Sequence, residues 1–334
     1  RPMRVDYGWE MLIIGDKCYL TGIKPKSNAE EQGLRPGDQI ISLDGYEPAR
    51  ENLWKMKYLY YRLSPRRGLR MVVKSPDGKQ RQLDVMAKVV DTKRVTNLEE
   101  SEAWDDFERQ DENLKRLYRH RSYSEGDLFI WKMRQFDEPT KIDDMMGKAR
   151  KYKSLIIDLR GNGGGDARAL ERLVGYFSEQ DLKIADLKGR KEMKPMLAKT
   201  QGRNVFQGKL VVLVDSETAS AAEVFARVVQ LEKRGTVLGD VTMGAVMGSK
   251  YYEHQMGVDR VAFYGASITE MDLIMKDGVS LERVGVKPDE AVLMTGADLS
   301  AGRDPVMARA AALLGVQITP EKAGTFFPIE WLNN

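Results

Sequence analysis

The rhythm of apolar and polar positions changes near residue 126. Before it, short alternating runs dominate: residues 11–14 and 18–23 read as strands, and residues 33–45 as a turn, a strand and a second turn. Leu53, Met56, Tyr60 and Leu63 recur at helical spacing, and residues 69–73 and 82–89 read as strands joined by the turn Ser75-Pro-Asp-Gly78. From Gly126 onward, strands alternate with helices. Residues 128–133 form a strand apolar on both faces, and 142–151 a helix. A buried strand, 154–159, ends in Arg160-Gly-Asn-Gly-Gly-Gly165. Asp166 then caps a helix carrying Leu170, Leu173, Val174 and Phe177 on one face. A short strand at 184–187, the apolar run 210–214, a helix carrying Val224, Phe225, Val228 and Leu231, and a strand at 236–239 complete the series. Such alternation predicts an α/β core with a mostly parallel sheet, preceded by a smaller β-rich domain. Residues 91–125 are charge-rich, with Trp104, Phe107, Leu114, Leu117 and Tyr118 on one stripe, and read as a helical connector.

Composition narrows the class without naming it. The 334 residues suffice for two or three domains. Lys and Arg total 53 against 50 Asp and Glu, a net +3 that points to neither nucleic acid nor an anionic membrane. The basic stretch 183–203 reads as a solvated loop. Cys18 is the single cysteine, which rules out an intramolecular disulfide and a cysteine-built metal cluster, and His120 and His254 are too few for a His-rich site. No metal or cofactor is implied. No apolar run reaches membrane-spanning length. The chain begins at Arg1, so a processed or trimmed form is expected, with any targeting peptide outside the sequence.

The most informative stretch is Asp215-Ser-Glu-Thr-Ala-Ser-Ala-Ala-Glu-Val-Phe-Ala226. Ser220 falls between a buried strand and a helix, where free backbone N–H groups and the helix dipole stabilise an adjacent oxyanion. An N-cap serine is the commoner role for such a residue. In open parallel sheets, ligands gather beyond the carboxyl ends of the strands. Lys132, residues 161–165, residues 217–220 and residues 240–244 all lie there. The triple glycine leaves backbone N–H groups uncovered, as an oxyanion hole requires. Phosphate binding is disfavoured, because neither the P-loop Lys-Ser/Thr nor dinucleotide glycine spacing is present. His120 lies between Arg119 and Arg121 with no evident orienting partner. Asp215 and Glu223 read as local turn and helix partners.

Four motifs carry a family resemblance. They are Leu155-Ile-Ile-Asp-Leu-Arg-Gly-Asn-Gly-Gly-Gly165, Thr218-Ala-Ser-Ala-Ala-Glu223, Leu238-Gly-Asp-Val-Thr-Met-Gly244 and Gly285-Val-Lys-Pro-Asp289. In order and content they resemble the core of carboxy-terminal processing (tail-specific) serine proteases and their tricorn-like relatives, with the matching core at residues 126–315. Ser27 to Gly45 is similar to the best-defined stretch of bacterial PDZ domains, which places such a domain at residues 1–90. The resemblance implies a ClpP/crotonase-like α/β protease core, a C-terminal tail at 316–334, protein or peptide substrates, and an extracytoplasmic (periplasmic) bacterial location. It leaves an oligomer open. It also implies Ser220 as nucleophile, with oxyanion donors from Ala221 and from Gly164 or Gly165. PDZ domains capture a peptide's terminal carboxylate in the loop before the second strand. Here that loop is Tyr7-Gly-Trp-Glu10, and Glu10 would repel a carboxylate.

One position departs from the processing proteases. Their dyad lysine falls on Ala245, within Thr242-Met-Gly-Ala245. Tricorn-like enzymes use instead a histidine from the first core strand, with a glutamate among its helpers. Counting from Gly126 places Lys132 at that histidine, and Glu282 falls near the glutamate. Lys132 is therefore the favoured base, provided that burial neutralises an amine whose reference pKa is about 10.4. Lys250 and His254, just past the Ala245 turn, are the alternatives. A rival class is a peptide-binding scaffold that keeps the fold and has lost the dyad.

Overall fold

The structure, a computed structural model, describes residues 3–91, 112–113, 115–257 and 262–331. Trp104, Phe107 and Leu114 of the expected connector stripe lie outside these residues. The chain divides into two compact units. One comprises residues 1–117, 292–309 and 317–334, and the other residues 118–291 and 310–316.

The first unit is built on a five-stranded sheet. Strands β1 (Met3–Asp6), β2 (Trp9–Ile14), β3 (Lys17–Ile23), β4 (Gln39–Leu43), β5 (Gly68–Lys74), β6 (Gln80–Met86) and β7 (Lys88–Asp91) occur in order. Strands β2 to β6 pair consecutively, each antiparallel to the next, while β1 pairs with β7 in a separate ribbon. Helix α1 (Asn28–Glu31) is capped by Ser27, whose hydroxyl accepts from the Glu30 N–H, and helix α2 (Leu53–Tyr58) buries Leu53 and Met56. Alternation places Met11, Ile13, Cys18, Leu20, Ile40, Met71 and Val73 in one core. The late segments of the chain return to this unit. Positions 296–300 pass so close to Gly37 that a Cβ there would lie 2.2 Å from the Gly296 carbonyl oxygen. Residues 317–331, within the segment expected as a C-terminal tail, group with this unit, where Gly22 leaves room for Ile329 and Trp331.

The second unit carries a six-stranded sheet. Its strands are β8 (Arg121–Glu125), β9 (Leu128–Lys132), β10 (Ser154–Asp158), β13 (Lys209–Val214), β14 (Thr236–Gly239) and β17 (Glu290–Ala291), in the spatial order β17-β14-β13-β10-β9-β8. All neighbours are parallel except β8 and β9, which form an antiparallel edge pair. Strands β9 and β10 are buried at every position, which explains their unbroken apolar runs. Helices α3 (Pro139–Ala149), α4 (Ala167–Gly175) and α5 (Ala221–Leu231) follow β9, β10 and β13. Leu170, Leu173 and Val174 of α4 and Val224, Phe225 and Val228 of α5 join the core with Trp131, Phe136 and Ile157. Each fully buried aliphatic side chain contributes about 1.5–3 kcal/mol.

A second sheet, of which the sequence pattern marks only the strand at 184–187, completes this unit. It is antiparallel and consists of β11 (Leu182–Gly189), β12 (Met196–Ala198), β15 (Gly248–Met256) and β16 (Ala262–Met275). Among the described residues, no helix is long and apolar enough to cross a membrane.

Candidate active site

Ser220 stands where β13 gives way to α5, as expected. Its backbone is in a conformation that L-residues avoid, with φ +56° and ψ −125°. Such a conformation costs on the order of 1–3 kcal/mol and persists only where its surroundings enforce it. The surroundings are explicit. The Ser220 N–H donates to the Ala245 carbonyl at 2.9 Å and to Glu223 Oε2 at 3.0 Å, and the Ala219 N–H donates to the Asn162 carbonyl at 2.9 Å. The helix start has the capping-box arrangement, yet the Ser220 hydroxyl makes no capping hydrogen bond. A serine held on a strained strand-to-helix turn has its hydroxyl exposed for attack.

The glycine loop meets Ser220 directly. A Cβ on Gly164 would lie 2.5 Å from Ser220 Cβ, so only glycine permits this approach. Asn162 shapes the loop from a fully buried position. Its Oδ1 accepts from the Gly164 N–H at 2.8 Å, and its Nδ2 donates to the Met133 carbonyl at 2.9 Å. The Gly164 donor is therefore already used. Gly165 differs. The Phe136 N–H donates to the Gly164 carbonyl at 2.9 Å, and the Asp166 N–H donates to the Phe136 carbonyl at 2.7 Å. That is a parallel bridge in which the N–H of Gly165 faces away from Phe136. A Cβ on Gly165 would sit 1.9 Å from the Phe136 oxygen.

Glu223 organises the other side. Its carboxylate is fully buried and accepts four hydrogen bonds. Thr242 Oγ1 (2.5 Å) and the Gly244 N–H (2.7 Å) donate to Oε1, while the N–H groups of Ala245 (3.0 Å) and Ser220 (3.0 Å) donate to Oε2. Burial pushes this carboxyl above the usual range, and the four donors oppose that shift. Glu282 Oε2 continues the pattern, accepting from the N–H groups of Val246 at 2.9 Å and Met247 at 3.2 Å. The segment 242–247, with Ala245 at its centre, is thus moulded by two glutamates. Reading the sequence for chemistry missed the reach of Glu223, although Ser220-x-x-Glu223 is a capping-box signature.

Beneath the glycine loop lies a buried charge network. Lys132, at the end of β9, pairs in register with Asp158 of β10. Its Nζ donates to the Arg160 carbonyl at 2.7 Å and lies 3.1 Å from Asp158 Oδ1. Arg160 also binds Asp158, at 2.8 Å. Burial lowers the Lys132 amine to about 8, against the pull of Asp158. Burial raises Asp158 in turn, but Arg160 and Lys132 outweigh it and leave the carboxyl well below the ordinary range. No hydrogen bond joins Lys132 to Ser220 among the described residues. Lys250 is exposed over the Tyr252 ring, 5.3 Å from its centroid, and exposed His254 stacks on Tyr264 at 5.4 Å. Neither of these bonds to Ser220.

His120 has the partners that its sequence context hid. It is buried, with Nε2 3.3 Å from both the Gln135 carbonyl and Asp137 Oδ1. Burial lowers its pKa. Asp215 is tied to the start of the glycine loop, accepting from the Gly161 N–H at 2.9 Å. Thr218 Oγ1 accepts from the Asp215 N–H at 2.9 Å and lies 3.0 Å from the Leu159 carbonyl. Replacing Thr218 by valine keeps the shape and removes these bonds, stranding a donor beside the serine turn. Thr218→Val is expected to lower stability by about 1–3 kcal/mol, measured by urea unfolding.

In the first unit, the side chains of Tyr7 and Trp9 are buried in the core. Their rings stack at 4.9 Å, and Tyr7 Oη donates to the Arg66 carbonyl at 3.0 Å. The Gly8 N–H donates to Asp6 Oδ1 at 3.0 Å, an internal carboxylate. Among the described residues, no group of three or more His, Cys, Asp and Glu side chains is placed to hold a metal ion.

A strained serine beside a glycine loop, on a mostly parallel α/β core, is the arrangement of a serine hydrolase. The family model for Peptidase family S41 matches residues 126–292, half of the sequence, and the chain belongs to that family. It is 30% identical over 162 residues to a putative tricorn protease homolog 2 of Streptomyces coelicolor, covering 48% of this chain and 13% of that protein. It is 24% identical over 232 residues to a tail-specific protease of Haemophilus influenzae, covering 69% and 32%. It is 23% identical over 296 residues to a probable CtpA-like serine protease of Staphylococcus haemolyticus, covering 86% and 52%. The chain thus spans about half or less of the length of these relatives. Two solved structures share the fold. Mature CPAF has a TM-score of 0.63 at 13% identity, covering 90% of this chain and 80% of that one. The photosystem II D1 C-terminal processing protease has a TM-score of 0.52 at 19% identity, covering 96% and 78%.

Proposed function

We propose that residues 118–291 form a serine peptidase core that cleaves protein tails or peptides through an acyl-enzyme on Ser220. Ser220 Oγ attacks the substrate carbonyl while its proton passes to the neutral amine of Lys132. The N–H groups of Ala221 and Gly165 receive the oxyanion. The proton then moves to the departing amine, and water releases the acyl group by the reverse sequence. The observation that carries this reading is the strained Ser220 backbone, held by Asn162, Ala245 and Glu223. The lowered pKa of Lys132 supports its role as base, since an amine near 8 supplies a useful neutral fraction at neutral pH. Glu223 and Glu282 act by positioning residues 242–247. The N-terminal unit is read as a PDZ domain, and its Asp6–Gly8 bond argues against capture of a free carboxylate. An extracytoplasmic bacterial location accords with the tail-specific relatives.

A peptide-binding scaffold without activity is the second reading. Ala245 at the dyad-lysine position and the ties of Lys132 to Asp158 and Arg160 favour it. Treatment with an alkyl fluorophosphonate separates the two. The peptidase reading expects a covalent adduct mapped to Ser220 by mass spectrometry and absent from Ser220→Ala. An intact, folded protein that stays unlabelled would remove the peptidase reading.

A further inference from the structure

We propose that the free edge of β15 is the track for the substrate segment on the amino side of the scissile bond. This rests on the peptidase reading above and specifies how that site would hold its substrate. Strand β15 is the outer member of its sheet and pairs only with β16 among the described residues. Its other edge therefore presents a row of backbone donors and acceptors over the nine residues Gly248–Met256. Exposed edges of this length are normally blunted, shortened or covered, and an uncovered one is a template for another extended chain.

Continuity with Ser220 identifies the occupant. The Ala245 carbonyl accepts the Ser220 N–H, Glu282 grips the next two N–H groups, and β15 begins at Gly248. Three residues of extended chain span no more than about 11 Å, so the edge starts beside the nucleophile. Strand β15 then runs away from Ser220. A peptide added antiparallel to it runs toward Ser220 and delivers its carboxyl end there, which places the acyl-side residues along β15. Antiparallel addition is also the slightly more stable pairing.

The surface beside this edge suits alternating apolar side chains. Tyr251 lies across Gly265, where a Cβ would fall 2.3 Å from the tyrosine oxygen, and the residue remains 59% exposed. On the opposite face Ile268, paired with Lys250, and Tyr264, stacked on His254, are each about half exposed. Met243 and Met247 stand exposed on either side of Ala245, offering adaptable apolar contact at the near end.

The test uses phosphonate probes on the full chain. An acetyl-Ala-Val-Ala-Ala diphenyl phosphonate is expected to label Ser220 at least about 10-fold faster than acetyl-Ala diphenyl phosphonate. N-methylating alternate amides of the longer probe should abolish the gain for one set and spare it for the other, as period-two pairing demands. Hydrogen exchange in Gly248–Met256 should slow in the tetrapeptide adduct and not in an alkyl fluorophosphonate adduct. Equal labelling by the two peptidyl probes, or unchanged exchange in β15, would overturn the track while alkyl labelling upheld the nucleophile. Failure of every reagent, the alkyl fluorophosphonate included, would remove the peptidase reading and the track with it.

Discussion

Lys132→Arg is expected to leave the fold intact and to lower peptide hydrolysis by about 10²–10⁴-fold, the range that a general base contributes. The choice of arginine matters. A buried Asp158 sits 3.1 Å from the Lys132 amine, and the Arg160 carbonyl accepts from it. Alanine would remove both the base and the ion pair, and breaking a buried pair costs about 3–5 kcal/mol. Arginine keeps a cation and several donors at this place but does not give up its proton in a protein. Activity near wild-type in Lys132→Arg would assign Lys132 a purely structural role. The pH profile gives an independent measure. A lysine base must be neutral, so kcat/KM should rise with pH along a limb centred near 8, set chiefly by burial of the amine. Stability shifts in the same direction. The folded value lies below the unfolded one, so the unfolded chain binds more protons between about 8 and about 10.4, and this contribution grows as pH rises through that window. It is lost as pH falls through 8. Urea unfolding of the wild type and Lys132→Arg across that range isolates it.

How far such a network can be read from sequence depends on whether its bonds are local. The serine turn, the glycine loop and helix α4 are local patterns, and each lies where periodicity and turn residues put it. Strand β8 was hidden because Arg121–Glu125 is polar and only its pairing with β9 makes it a strand. The β15–β16 hairpin escaped for a related reason. Both of its faces are largely exposed, so neither apolar alternation nor a buried run marks it. His120 seemed to lack an orienting group because Asp137 and Gln135 reach it only after β9 has folded back along β8. Lys132 was legible as a buried strand-end lysine, but Asp158 became its partner through the register between β9 and β10. The burial of Tyr7 and Trp9 was equally hidden, because it depends on apolar neighbours such as Leu20, Tyr60 and Leu69 that are distant in sequence.

Glu223→Ala is expected to cost about 3–5 kcal/mol of stability and to abolish most of the reactivity of Ser220. A capping glutamate on an exposed helix contributes far less, so the size of the effect reports the buried role. Removing the carboxylate strands the N–H groups of Gly244 and Ala245 and the hydroxyl of Thr242, all beside the nucleophile. It also removes one of two acceptors that hold the Ser220 N–H, leaving the Ala245 carbonyl as the other. The strained φ of +56° then loses part of what enforces it. Glu223→Gln supplies the control. An amide retains one oxygen and places an NH₂ group against the donors that the second oxygen served, so about half of the network survives. The ordering wild type, Gln, Ala should therefore appear both in urea unfolding and in the rate of alkyl fluorophosphonate labelling. If the glutamate were only a helix cap, labelling of the folded Gln variant would match wild type. A parallel fall in both measures would show that the carboxylate places residues 242–247 and the serine turn as one unit.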